Sequence, residues 1–323
     1  MTPSRTPRFL QRPVIDSADS SADRAAIEAG LLREPAQAAP KYFSDRLGSH
    51  LFEAITELPE YYLTRTEAAI FALHGAAIAS RIGAGATLVD LGAGNCVKAS
   101  RLFALLEPTR YVAVDISVDF LHDALKRVQR EHPLLDVVGL GQDFSSALDL
   151  ADELIADRAV FFYPGSSIGN FTPAEALAFL KRVRAQAGGG GLLIGVDLVK
   201  DATVLQAAYD DALGVTAAFN LNILRQLNRL IGSDFQPEEW RHIGLYNAAE
   251  SRIEMHLEAR RDLRVQWPGA QRAFRAGEWL HTENSCKYTV ERFAALLQQA
   301  GFAPPAHWTD DRGWFGVFWA PAD

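Results

Sequence analysis

The stretch Thr87-Leu-Val-Asp-Leu-Gly-Ala-Gly-Asn-Cys-Val97 decides the fold. Thr87 to Leu91 is a short apolar run that stops at two glycines, Gly92 and Gly94, and a helical segment follows to Leu106. Glycines directly after a buried strand let the backbone approach a ligand closely at a helix N-terminus. The dinucleotide fingerprint asks for a third glycine or alanine at position 97, where valine stands, so a nicotinamide cofactor is disfavoured.

Working outward, Tyr111 to Val114 reads as a second strand closing on Asp115, and a helix is expected from Val118 to Glu131. Leu135 to Val138 is a third strand, ending near Asp143-Phe144; Ala159 to Phe162 is a fourth and Leu192 to Val196 a fifth. Strands that are apolar throughout and alternate with helices indicate a parallel sheet covered on both faces. The helix after the fourth strand has a clear start: Thr172-Pro-Ala-Glu175 supplies a cap, a proline at the first helical position and the glutamate of a capping box. Gly188 to Gly191 reads as the turn into strand five, because no Lys-Ser or Lys-Thr follows in phosphate-loop register.

The acid at Asp90, one residue removed from the first glycine, is typical of S-adenosylmethionine (AdoMet) sites. Asp115 stands 23 residues after Gly92, where an acid can accept ribose hydroxyls. Asp143 can accept an adenine amino group and Phe144 can pack the base. Each alone reads as a surface aspartate at a strand end; three at consecutive strand ends favour an adenosyl ligand. A competing motif, Gly165-Ser-Ser-Ile-Gly169, matches the nucleophile elbow of serine hydrolases around Ser167. The elbow requires a helix beginning at the serine, whereas Asn170, Phe171 and the Thr172 cap intervene. A ligand-facing loop with Asn170 is the better reading.

The 323 residues are 48% hydrophobic and 22% charged, enough for a packed core in one large or two modest domains. A net charge of −8 with no basic block excludes a nucleic-acid binder of the usual kind. Two cysteines, Cys96 and Cys286, exclude a disulfide framework and a thiolate metal site, and the histidines show no metal-binding spacing. No run approaches a membrane span, and the arginine- and proline-bearing N-terminus has no apolar signal core. A cytoplasmic protein is expected, with residues 1–23 as a mobile tail. After Asp201 the strand-helix rhythm gives way to helices near 202–213 and 215–231. An alternating strand follows, with Ile253, Met255, Leu257 and Ala259 facing inward and Arg252, Glu254, His256 and Glu258 outward. A last helix near 290–300 and strands near 303–308 and 314–319 complete the chain.

Taken together, these segments resemble the ergothioneine-pathway histidine α-N-methyltransferases. The likeness runs from Lys41 to Trp314. It is carried by Gly48-Ser-His-Leu-Phe-Glu-Ala-Ile-Thr-Glu-Leu-Pro-Glu-Tyr-Tyr62, the Asp90–Lys98 loop, Gly165–Asn170, Tyr209–Asn220, Arg252–Met255 and His281–Lys287. The resemblance implies a Rossmann-like α/β AdoMet domain (67–200 and 288–323) and a discontinuous α+β substrate-binding domain (24–66 and 201–287). It implies transfer of three methyl groups from AdoMet to the α-amine of free L-histidine, giving hercynine; a monomer without a metal, nucleic-acid or membrane partner is expected. By the same resemblance, Gly92, Lys98, Asp115, Asp143 and Phe144 hold AdoMet. Tyr61, Asn170 and Tyr209 hold the amino-acid backbone at the reacting centre, and Met255, Glu283, Asn284 and Ser285 complete the substrate site. The family usually has tyrosine where Ser44 stands, and proline where Leu63 stands. Tyr42 is the neighbouring phenol that could stand in for the first. Relatives in the family methylate other amino acids, which keeps a different amino-acid substrate open.

Overall fold

The computed structural model describes residues 5–11, 18–145, 148, 150–155 and 158–322. The chain forms two compact units, one of Met1–Arg12, Leu63–Val199 and Lys287–Asp323, the other of Pro13–Tyr62 and Lys200–Cys286.

The first unit is built on an eight-stranded sheet. Its strand order is Arg8–Gln11, Asp136–Gly141, Arg110–Asp115, Thr87–Leu91, Ala159–Tyr163, Gly191–Asp197, Phe315–Pro321, Ala306–Thr309. The first six strands are mutually parallel; Phe315–Pro321 runs antiparallel to Gly191–Asp197 and to the edge strand Ala306–Thr309, so a single strand is reversed in a Rossmann-like α/β sheet. Every residue of Thr87–Leu91, Ala159–Tyr163 and Gly191–Asp197 is buried, so both faces of the sheet are covered. The flanking helices follow from their apolar stripes. Val118–Glu131 buries Leu121, Ala124, Leu125 and Val128, a 3-4 spacing that lays one face on the sheet. Pro173–Gln186 begins in the expected capping box, with the Thr172 amide donating to Glu175 at 2.9 Å. The expected continuous helix to Leu106 is broken into Val97–Ser100 and Phe103–Leu106.

Strand order reverses beside Thr87–Leu91, which lies between Arg110–Asp115 and Ala159–Tyr163. The carboxyl ends of these strands therefore splay apart at a switch point, where open α/β sheets bind ligands.

The tail expected over residues 1–23 is corrected at both of its described parts. Arg8–Gln11 is an edge strand parallel to Asp136–Gly141, and the Arg8 guanidinium meets the Asp136 carboxylate at 2.9 Å. Gly139 makes room for it, since a Cβ there would fall 2.7 Å from the Phe9 ring. Residues 18–23 belong to the helix Ala18–Leu31, whose Ile27 and Leu31 are buried. Residues 1–4 and 12–17 lie outside the described residues.

The second unit carries a four-stranded sheet in the order Ala36–Gln37, Trp279–Cys286, Arg252–Ala259, Trp240–Asn247, a hairpin Leu263–Trp267 with Ala270–Phe274, and the helices Ala18–Leu31, Arg46–Thr56, Ala202–Ala207 and Val215–Ile231. The helix expected to 213 stops at Ala207. Asp211 instead caps the next one, its carboxylate accepting the Val215 and Thr216 amides at 3.0 and 2.7 Å. The expected outward polar face of Arg252–Ala259 is also corrected. Glu254 and His256 are buried too, and the glutamate is satisfied by Arg252, Asn247 and His256. Alternation showed the pleat correctly but could not show that paired charges would permit burial of the polar face.

Candidate active site

In the first unit, Gly92 is left-handed (φ +71°), and a Cβ on it would sit 3.6 Å from the Phe144 ring. Its amide and that of Ala93 both donate to the Val114 carbonyl, folding the loop back on the neighbouring strand. Asp115 does more than wait for a ribose: its Oδ2 accepts the Gly94 amide and its Oδ1 the Ser117 amide, both at 2.8 Å. Each carboxylate oxygen retains a second lone pair for a hydroxyl. Asp143 accepts the Ser145 amide at 3.0 Å, a turn that holds Phe144 between them. Phe144 packs edge-on to Tyr163, with ring centroids 5.7 Å apart.

Asp90 lies beneath this loop. Tyr111 donates to its Oδ2 at 2.7 Å, and its buried Oδ1 has no hydrogen-bond partner among the described residues. A buried acceptor left open, under a glycine loop and beside a second acid, fits a ligand carrying an ammonium group and ribose hydroxyls, as AdoMet does. Burial pushes the Asp90 carboxyl from its ordinary 3.8 up to about 7. Since the unfolded carboxyl ionises near 3.8, this group opposes folding increasingly as pH rises from about 4 to 7, and by a constant amount above that. Asp90→Asn should therefore raise the unfolding free energy by up to about 4 kcal/mol above pH 7, the gain vanishing toward pH 4. Urea titrations of both proteins across that pH range check it.

Asp115→Ala removes the loop clamp together with the lone pairs left open for a hydroxyl. Calorimetric AdoMet affinity should fall by about 1.5–3 kcal/mol. An unchanged affinity takes Asp115 out of the site.

One buried acid was missed by sequence reading. Glu67, on the helix Leu63–Ile82, is 2% exposed; its Oε2 pairs with Lys98 Nζ at 2.7 Å and its Oε1 accepts the Gly165 amide at 2.8 Å. It thus ties the cofactor-loop lysine to the loop that carries Asn170. Gly195 is required beside it, since a Cβ there would lie 2.0 Å from Oε1. The only sequence signal was a lone acid among the apolar positions of that helix. Asn170 ends the short turn Ser167–Asn170 in this unit.

The hydrolase alternative fails on geometry. The left-handed residues of the loop are Gly165 (φ +76°) and Ser166 (φ +63°), not Ser167, and the Ser166 hydroxyl accepts the Asp197 amide at 2.8 Å. Ser167 is exposed, and its hydroxyl donates to the Pro164 carbonyl at 3.4 Å rather than to a base. Cys96 is equally unfit as a nucleophile, since burial pushes its thiol up to about 12.

In the second unit, the pairing of Trp279–Cys286 with Arg252–Ala259 shifts between His281 and Glu283, so that Glu283 lies opposite Met255 and Ser285 opposite Ile253. Met255, Glu283 and Ser285 therefore share one face of the sheet. Tyr209 joins them there, its hydroxyl 2.7 Å from the Ser285 hydroxyl. Tyr61 is 6.4 Å from Tyr209, ring to ring, and Phe52 packs against both Tyr61 and Phe219. Asn284, grouped with these residues on sequence, is on the opposite face, where its Oδ1 accepts from His281 Nε2 at 3.0 Å. Alternation is the physical reason, since consecutive strand residues face opposite ways; the bulge at Thr282 adds that His281 shares the face of Asn284. Ser44 is exposed, and the neighbouring Tyr42 is buried with its hydroxyl 3.4 Å from Asp23 Oδ1.

Residues 23–322 match the family model described as histidine-specific methyltransferase, SAM-dependent. The chain belongs to this family. It is 39% identical over 310 residues to the histidine N-alpha-methyltransferase of Mycolicibacterium smegmatis, covering 93% of this chain and 96% of that one. Similarity to the protein of the same name from Mycobacterium tuberculosis is 39% over 301 residues, covering 91% and 93%. Ergothioneine biosynthesis protein 1 of Neurospora crassa is 34% identical over 81% of this chain, which spans 30% of that longer protein. Membership makes the chain an AdoMet-dependent methyltransferase. Among the described residues, no helix is long and apolar enough to cross a membrane, and no group of three or more His, Cys, Asp or Glu is placed to hold a metal.

Proposed function

We propose that this enzyme methylates the α-amino nitrogen of free L-histidine, in successive transfers that end at the trimethylated betaine hercynine, as a step of ergothioneine biosynthesis. The observation that supports it best is the shared face of Met255, Glu283, Ser285 and Tyr209, with a hydroxyl pair at 2.7 Å beside a carboxylate. A carboxylate flanked by a hydroxyl suits an imidazole, which offers an N–H donor and a bare nitrogen acceptor. An apolar wall alone would not tell that ring from a phenyl.

AdoMet, when bound, supplies an electrophilic methyl on a sulfonium. What the chain must do is present a neutral amine in line with it and shed the proton of each ammonium before the next transfer. Tyr61 and Tyr209 fix the amino acid through their hydroxyl groups, which orient without adding a charge that would hold the amine protonated. As the C–S bond breaks and the N–C bond forms, positive charge passes from sulfur to nitrogen. The site therefore has to conduct that charge, not neutralise a new one. Lys98, anchored by Glu67, and Asp115, anchored by Gly94 and Ser117, are the preorganised contacts for the donor.

The exposed Ser44 favours one second reading, an amino acid other than histidine, since the amine lacks the enclosing phenol that is usual in the family. Incubation with AdoMet and a panel of free amino acids, read by mass spectrometry, decides between them. Histidine alone should gain methyl groups at micromolar enzyme; preferential methylation of another amino acid overturns the assignment. The reading also carries a monomeric, cytoplasmic enzyme. Its two cysteines are buried thiols outside any disulfide, and it needs neither nucleic acid nor a membrane surface.

A further inference from the structure

Tyr209 is held at both ends. While its hydroxyl meets Ser285, its main-chain carbonyl accepts from His242 Nε2 at 2.8 Å, and His242 Nδ1 lies 2.8 Å from Asn220 Nδ2. The Asn220 Nδ2 also donates to the His256 carbonyl at 3.1 Å, which fixes it as the nitrogen of the amide. His242 Nδ1 must then be the acceptor, and the ring is neutral with its proton on Nε2. Asn220 is fully buried and His242 nearly so, and burial lowers the pKa of the imidazole, in keeping with that tautomer. Asn220 Oδ1 is buried with no hydrogen-bond partner among the described residues, a cost accepted to keep the Nδ2 donors where they are. Two residues along the strand, a Cβ on Gly244 would come 2.7 Å from the Tyr209 carbonyl oxygen. The strand Trp240–Asn247 thus has a gap that receives the Tyr209 main chain and a histidine that grips it.

We propose that His242, oriented by Asn220, is a positioning residue for the amino-acid substrate: it grips the Tyr209 carbonyl and so sets the Tyr209 phenol against Ser285. This rests on the reading of Tyr209 as a substrate contact. His242 touches neither ligand in that reading; it acts only through Tyr209.

The test uses two isosteres in the full-length enzyme. In His242→Gln the amide N–H reaches the Nε2 position and keeps the grip; in His242→Asn the amide sits at the Nδ1 position, keeping the Asn220 contact and losing Tyr209. The Gln variant should hold the histidine KM within about two-fold of wild type. The Asn variant should raise it about ten-fold, with calorimetric AdoMet affinity within two-fold in both. Equal KM values for the two variants, or the reverse order, overturn the proposal. A matching loss of AdoMet affinity in the Asn variant also overturns it, because it marks general damage. The same pair in a Tyr209→Phe background separates the proposal from the reading beneath it. There the Asn and Gln variants should differ by less than two-fold, since the phenol they position is gone. A full ten-fold difference persisting there defeats the positioning role alone. Tyr209→Phe that by itself leaves the histidine KM unchanged defeats the reading of Tyr209 as a substrate contact, and the proposal with it.

Discussion

Lys287→Ala should cost about 3–5 kcal/mol of stability, the largest loss expected from any single truncation of a charged residue in this chain. Lys287 Nζ and Asp197 Oδ2 are 2.8 Å apart, and both side chains are wholly shielded from solvent. Removing the ammonium leaves a carboxylate in the interior without its counter-ion, at the end of a strand whose residues are all buried. The damage should spread locally. The Tyr288 amide donates to the Asp197 carbonyl at 3.2 Å, the Val199 amide to the Tyr288 carbonyl at 2.9 Å, and the Asp197 amide to Ser166 in the Asn170 loop. Urea unfolding followed by tryptophan fluorescence reads the loss. Replacing both partners with apolar residues, Lys287→Met with Asp197→Leu, should recover most of it, because a buried pair is costly to break and cheap to replace. A single substitution that costs less than 1 kcal/mol would show the pair to be solvated.

Glu283→Ala should raise the histidine KM by roughly ten- to a hundred-fold, the equivalent of about 1.5–3 kcal/mol for a charge-assisted hydrogen bond lost from a closed site. AdoMet affinity should stay within two-fold, since Glu283 lies in the second unit and the glycine loop in the first. Discrimination should fall as well, because a site that no longer pairs with the ring cannot reject amino acids that lack one. Steady-state kinetics with histidine and phenylalanine as paired substrates measure both effects. A mutant that retains its histidine KM and its selectivity removes Glu283 from the pocket.

The parallel sheet was legible because a strand buried on both faces has to be mostly apolar, and Thr87–Leu91, Ala159–Tyr163 and Gly191–Asp197 are, apart from Thr87, Asp90 and Asp197. Glycines and acids at strand ends then marked the tight loop that Asp115 clamps. What stayed hidden was contact between residues distant in sequence. Nothing near Phe9 announces that Gly139 has left space for its ring, so a four-residue edge strand passed for tail. Glu67 lies among helix residues with no hint that Lys98 and Gly165 converge on it. The bulge at Thr282 has no turn residue to signal it, so nothing announces that His281 shares a face with Asn284 rather than with Glu283. His242 and Asn220 are likewise 22 residues apart and meet only through the fold. Strands such as Trp240–Asn247 and Trp279–Cys286 mix polar and apolar residues on both faces, because one face carries a site and the other an internal charge cluster, and neither period survives that.

The central claim is that methyl groups reach the α-amino nitrogen of histidine. Incubation of the enzyme with histidine and AdoMet labelled with carbon-13 in the methyl group, followed by NMR of the purified product, tests it directly. The account predicts a single labelled resonance from three equivalent N-methyls coupled to the α-carbon centre, with the imidazole signals shifted no more than a neighbouring charge requires. Label on a ring nitrogen, or histidine returned unlabelled while another amino acid carries the methyls, would contradict it.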